Sequence, residues 1–168
     1  MSNPAAAEVV REFWRLMATN DFDAVAAVLA PEFVLEWPQS RERIRGAARF
    51  ALMNLQYPAH GVWRFTVHRL VGEGSQAVSD VSVTDGVQTA RALSFFTVAE
   101  GKVTRLVEYW PEPYAAPANR AHLVEAMDER LRMRTSALAI AHLRARRREV
   151  HNASQPARRS PRARGVTP

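Results

Sequence analysis

The stretch Gly101-Lys102-Val103-Thr104-Arg105-Leu106-Val107-Glu108-Tyr109-Trp110-Pro111 has the form of the second half of a β-hairpin. The turn Glu100-Gly101-Lys102 opens it and Pro111 stops it, because Gly supplies the positive φ of a tight turn and Pro cannot donate to a ladder. Side chains alternate between the faces of a strand. Val103, Arg105, Val107 and Tyr109 therefore share one face, and Thr104, Leu106, Glu108 and Trp110 the other. A carboxylate between Leu106 and Trp110 is the oddity, since burying an ionised carboxylate is costly unless it is paired or hydrogen-bonded. Glu108 sits either at a solvated edge or in a cavity where it has a task.

Upstream of this strand the chain keeps the same period. Val87–Ala99 is the preceding strand, joined through the hairpin signal Asp85-Gly86 to Gln76–Thr84. The turn Gly72-Glu73-Gly74 leads back to Val62–Val71, where Trp63, Phe65 and Val67 alternate with Arg64, Thr66 and His68. The first third is helical. Val9, Val10, Phe13, Trp14 and Met17 recur at helical spacing over about 4–19, with Asn3-Pro4 as cap and first position. A short second helix follows Asn20-Asp21 and ends at Pro31. Phe33–Trp37 is a short strand, Arg41–Arg45 a charged loop, and 47–56 a third helix stopped by Pro58. This order predicts an α+β fold with helices collected on one side of a curved sheet.

The 168 residues suffice for one domain with a real core. Residues 1–117 form the expected domain, 118–150 a charged helical extension, and 151–168 a disordered basic tail. The net charge of +6 belongs to the tail: residues 144–168 hold eight arginines and one acid, whereas residues 1–143 hold 15 basic and 16 acidic side chains. No aromatic residue is interleaved in the arginine runs for base stacking. The tail is accordingly read as a solvated segment, and nucleic acid as a partner through that tail alone. There is no cysteine, so a disulfide scaffold, a thiolate metal site and a cysteine nucleophile are excluded. The five histidines show no metal-ligand spacing, and no cofactor or metal is expected. No apolar run approaches the roughly 18–20 residues of a membrane span, and the first residues lack the pattern of a signal peptide. A cytoplasmic protein is the expectation.

Glu108 leads the candidate catalytic residues. Apolar walls such as Leu106, Trp110 and Phe96 would raise its pKa and suit it to general acid or base work. The alternative is a structural carboxylate hydrogen-bonded to Trp37, Trp63 or a backbone amide. Asp80 is either a second pocket carboxylate beside Glu108 or an outer-face ion pair opposite Arg91, according to the length of the loop at Asp85-Gly86. Trp37, Tyr57, Trp63 and Phe96 either line a pocket for a planar hydrophobic ligand or fill the core. Ser94 can supply a hydroxyl on the Phe96 face.

Several pieces together resemble the nuclear-transport-factor-2-like superfamily, and within it the SnoaL-like group. They are Phe13-Trp14, Asn20-Asp21-Phe22-Asp23, Leu29-Ala30-Pro31-Glu32-Phe33, Gly46, Glu100-Gly101-Lys102-Val103 and Val107-Glu108-Tyr109-Trp110. The resemblance spans about residues 5–115. It implies a cone, a curved sheet wrapped around three helices and enclosing an apolar pocket. The candidates to line that pocket are Trp37, Tyr57, Trp63, Phe65, Ser82, Ser94, Phe96 and Trp110, and the candidate catalytic residues are Glu108 and Asp80. Members include polyketide cyclases, ketosteroid isomerases, limonene-epoxide hydrolases, scytalone dehydratases and non-catalytic binding modules, so the fold leaves the function open. Glu108 before Tyr109-Trp110 resembles the last-strand carboxylate of the epoxide hydrolases. Their Arg and Asp two apart on the third strand are replaced here by Asp80 and Ser82. Tyr57 is nearest to the isomerases' oxyanion-hole tyrosine, and His60 and His68 do not match the dehydratases' histidines. The implied function is binding of a small hydrophobic molecule, with cofactor-independent acid/base catalysis on a polyketide- or steroid-like carbonyl compound. The alternative is a non-catalytic binding or homodimerisation module.

Overall fold

The computed structural model describes residues 5–127. Helix α1 (Ala6–Ala18) and a 3-10 helix (Phe22–Val28) lead into strand β1 (Leu29–Trp37). Strand β2 (Glu42–Arg45) and helix α2 (Ala47–Gln56) follow. Then come β3 (Arg64–Glu73), β4 (Gln76–Thr84), β5 (Thr89–Ala99), β6 (Lys102–Tyr109) and a 3-10 helix (Ala118–Leu123). The strands make one sheet in the order β2-β1-β6-β5-β4-β3. Only β1 and β6 pair in parallel. Both α-helices lie on one face, α1 across β3 to β6 and α2 over β1 and β2. The α+β expectation is met by this curved, mixed sheet.

Helix α1 forms because its apolar residues fall three and four apart. Val9, Val10, Phe13, Trp14, Leu16 and Met17 are all buried. At its start the Ala5 N–H donates to Glu8 Oε2 at 3.3 Å, and the helix ends before Asn20, which adopts φ 60°. Phe13 sits at the centre of the core, with ring centroids 5.1 Å from Trp14, 5.2 Å from Phe96 and 5.9 Å from Phe50. Burying each such ring contributes about 2–3 kcal/mol.

The structure departs from the sequence expectations at identifiable points. Arg41–Glu42-Arg43-Ile44-Arg45 is not a loop: Glu42–Arg45 pairs antiparallel with β1, after Arg41 turns the chain at φ 61°. A strand of four residues with one inward apolar side chain, Ile44, is too short to show a period, and its charges suit a sheet edge. Strand β1 begins at Leu29 and runs through Pro31, and its register with β6 shifts between Leu29 and Val34 because Pro31 has no N–H to give. Strand β3 continues to Glu73, so the turn is Gly74-Ser75 alone. The β4–β5 connection holds residues 85–88, four residues, because Thr84 pairs with Thr89. Of the helix expected over 118–150, Ala118–Leu123 is a 3-10 helix and 124–127 are not helical. The rest of that extension and the basic tail at 151–168 lie outside the described residues.

Two bulges redirect side chains. The β5–β6 register shifts between Thr97 and Val98, which turns Val103 inward beside Leu106, both of them fully buried. The β3–β4 register shifts between Val67 and Arg69, so His68 is the extra residue and Leu70, not Arg69, follows Val67 on the inner face.

Candidate functional site

β1, β4 and β6 end, and β3 and β5 begin, at one rim of the sheet. Glu108 lies there on the concave face, 6% exposed, between fully buried Leu106 and half-buried Trp110. Of the two placements the sequence left open, a solvated edge or the interior, Glu108 takes the interior one. The Trp37 indole Nε1 donates to Glu108 Oε2 at 3.0 Å, and the Ser94 hydroxyl donates to Oε1 at 2.9 Å. Ser94 faces Glu108 directly in the β5–β6 register. Burial pushes the Glu108 carboxyl above its ordinary pKa, and the bonds from Trp37, Ser94 and Trp110 only partly oppose this. The two carboxylate oxygens together carry four lone pairs, so three donors leave accepting capacity for a further group. Glu108 is therefore a positioned carboxyl among aromatics, and its burial favours the protonated form.

Asp80 is not part of this site. It points to the convex face, where Arg91 Nη2 donates to Oδ2 at 2.7 Å and Arg91 Nε donates to Oδ1. The Arg91 guanidinium holds its carboxyl below the usual range. The four-residue loop sets Asp80 opposite Leu93, and Arg91 reaches it on the diagonal. Ser82 shares that outer face, with its Oγ 2.7 Å from His68 Nε2, so it does not line the cone either.

The remaining residues divide. Trp37 and Trp110 flank Glu108. Phe96 is fully buried against Phe13 and Trp14, so it fills the depth of the cone and lines no opening. Tyr57, at the end of α2, and Trp63 meet edge-to-face at the rim, 6.0 Å apart. Phe65 lies away from Glu108, against Trp14 at 5.7 Å.

Three positioning contacts had no sequence signal. Asn20 clamps the chain before β3 by accepting from the Trp63 N–H at 2.9 Å and donating to the Trp63 carbonyl at 2.8 Å. Trp14 Nε1 donates to Ser79 Oγ at 3.0 Å, and Ser79 is the cross-strand partner of Ser94. Asp85, read in sequence only as a turn residue, is buried. It accepts from the backbone N–H groups of His60, Val87 and Gln88 and from the Gln88 side chain, at 2.7–2.9 Å. Burial alone would raise its pKa, yet these donors together hold it well below the usual carboxylate range. Asp85 thereby ties the loop carrying His60 to the rim of the cone.

Among the described residues, no group of three His, Asp or Glu side chains is arranged to hold a metal ion, and no helix is long and apolar enough to cross a membrane.

Curated proteins yield no match. The fold is similar to that of a protein from Kribbella flavida DSM 17836 provisionally designated a ketosteroid isomerase. The two are 34% identical over 73% of this chain and 90% of that one, with a TM-score of 0.67. An NTF-2-like protein of unknown function from Burkholderia xenovorans LB400 is 27% identical over 73% of this chain and 95% of that one, TM-score 0.61. An LEH-like epoxide hydrolase from M. tuberculosis shares the fold at 24% identity over 63% of this chain and 82% of that one, TM-score 0.53. The SnoaL-like domain model matches residues 10–106. The chain belongs to the SnoaL-like domain family, with the NTF2-like fold.

Proposed function

We propose that the chain binds a small hydrophobic carbonyl compound, of polyketide or steroid type, at the wide end of the cone, and that Glu108 moves a proton on it. The observation that carries this is Glu108 itself: an inward carboxyl, 6% exposed, held by Trp37 and Ser94. The provisional ketosteroid isomerase designation of the Kribbella flavida relative supports the same reading. As a carboxylate, Glu108 takes a proton from the carbon next to the carbonyl, and the electron pair passes into the enolate. As the acid so formed, it returns the proton to the same or a conjugated carbon. Trp37 and Ser94 hold the carboxyl in one orientation through both halves. Tyr57 at the rim is the phenol assigned to polarise the carbonyl, since Asp80 lies outside. No cofactor enters this scheme.

The test is turnover of a panel of planar conjugated ketones by wild type and Glu108→Gln. The variant should lose about 10²–10⁴-fold in kcat with little change in KM, the usual range for a general base. Equal turnover would end the acid/base role.

A second reading has its own observation. On the convex face Phe95 and Tyr109, 45% and 37% exposed, stack edge-to-face at 6.0 Å. This apolar pair amid ion pairs supports a homodimerisation face on a non-catalytic module. Sedimentation of wild type and Phe95→Glu separates the two states.

A further inference from the structure

α1 and β3 border an open groove of about 420 Å³ lined by Arg11, Trp14, Arg15, Phe65, Val67 and Leu70. That volume is in the range of small-molecule sites, about 300–1,000 Å³. The groove exists because of the bulge at His68: strict alternation would turn Arg69 inward, whereas the shift sets Val67 and Leu70 on one face. Its floor is fixed, since the Trp14 indole is bonded to Ser79 and tilted onto Phe65. One end is closed where α1 crosses β3, so tightly that a Cβ on Gly72 would lie 2.9 Å from Ala7 Cβ.

The rim is cationic and asymmetric. Arg15 is neutralised by Glu12, which accepts from its Nε at 2.7 Å and its Nη2 at 2.6 Å. Glu8, one turn before Glu12, turns to the Ala5 N–H at the helix start. Arg11 is exposed and has no hydrogen bond or ion pair among the described residues. An apolar trough thus opens beneath one uncompensated guanidinium, the donor group best suited to a carboxylate.

We infer that this groove is a binding site for a single-chain amphiphile with a carboxylate head, its tail on Trp14, Phe65, Val67 and Leu70 and its head on Arg11. The site lies apart from Glu108, and the inference does not depend on what Glu108 does.

The test is calorimetric titration with dodecanoate and dodecyltrimethylammonium, each below its micelle concentration, and with dodecanol below its solubility limit. Variants are Arg11→Glu and Val67→Trp, at exposed positions that leave the core intact, and Glu108→Gln. The expected result is dodecanoate binding at least about tenfold tighter than the other two, the scale of one charge-assisted hydrogen bond. Arg11→Glu should remove that preference, Val67→Trp should weaken all binding by filling the groove, and Glu108→Gln should change nothing. Equal affinity for anion and cation, no binding by any of the three, or loss in Glu108→Gln with retention in Val67→Trp would each overturn the assignment.

Discussion

Glu108→Gln should make the protein more stable at alkaline pH, and the gain should vanish in acid. Gln matches Glu in size and can keep the contacts to Trp37 and Ser94. Its Oε1 accepts from Trp37 Nε1, and its Nε2 donates to Ser94 Oγ, which turns from donor to acceptor. What changes is charge. The wild-type carboxyl has its pKa raised by burial, so ionising it in the folded state costs more than in the unfolded chain. Below the unfolded midpoint, about pH 4.3, both states are protonated and no penalty exists. As pH rises through the raised folded midpoint, wild type loses stability by about 1.4 kcal/mol for each unit between the two midpoints. Gln loses none. The cost of a buried polar group with partial compensation, about 1–3 kcal/mol, sets the expected gap at pH 8. On a domain of this size that is on the order of 4 °C in Tm per kcal/mol. Urea unfolding of both proteins from pH 4 to pH 9 reads the gap directly, because all other titrating groups cancel in the difference. A gap that does not change with pH, or a wild type more stable than the variant at pH 8, would refute the reasoning. The same substitution is expected to cut turnover, so stability and activity would move in opposite directions.

Two other substitutions probe the supports of the site. Asp85→Ala leaves the His60, Val87 and Gln88 N–H groups without their acceptor and should cost about 2–4 kcal/mol at pH 7 by urea unfolding. Because the folded pKa of Asp85 is depressed, its contribution is present above the unfolded midpoint, about 3.9, and fades as pH falls below it, so the deficit should shrink by pH 3. Asp80→Ala removes an ion pair whose Arg91 side chain is 45% exposed, and should shift stability by no more than about 1 kcal/mol while leaving turnover intact. Loss of turnover in Asp80→Ala would move the chemistry to the convex face.

The sequence carried the helices through their three-and-four spacing, seen in Val10, Phe13, Trp14 and Met17, and the inward direction of Glu108 through the alternation of β6. Both are properties of a dozen neighbouring residues. β2 was not legible, because a four-residue charged segment becomes a strand only by pairing with β1. The face of Asp80 was undecided, because the length of the 85–88 loop depends on Asp85 finding donors in His60, 25 residues away in the chain. The α1–β3 groove had no signal at all, since it follows from one extra residue at His68.

Periodicity and turn chemistry alone determined the order of elements and the side of the last strand on which a carboxylate would lie, because these depend on backbone geometry within one element. Tertiary structure alone decided what that carboxylate meets. Trp37 and Ser94 are 71 and 14 residues from Glu108 and reach it only when β1, β5 and β6 share one sheet. Their two hydrogen bonds and the surrounding aromatics set its charge. Burial and hydrogen bonding depend on partners across the whole fold, and no local pattern encodes them.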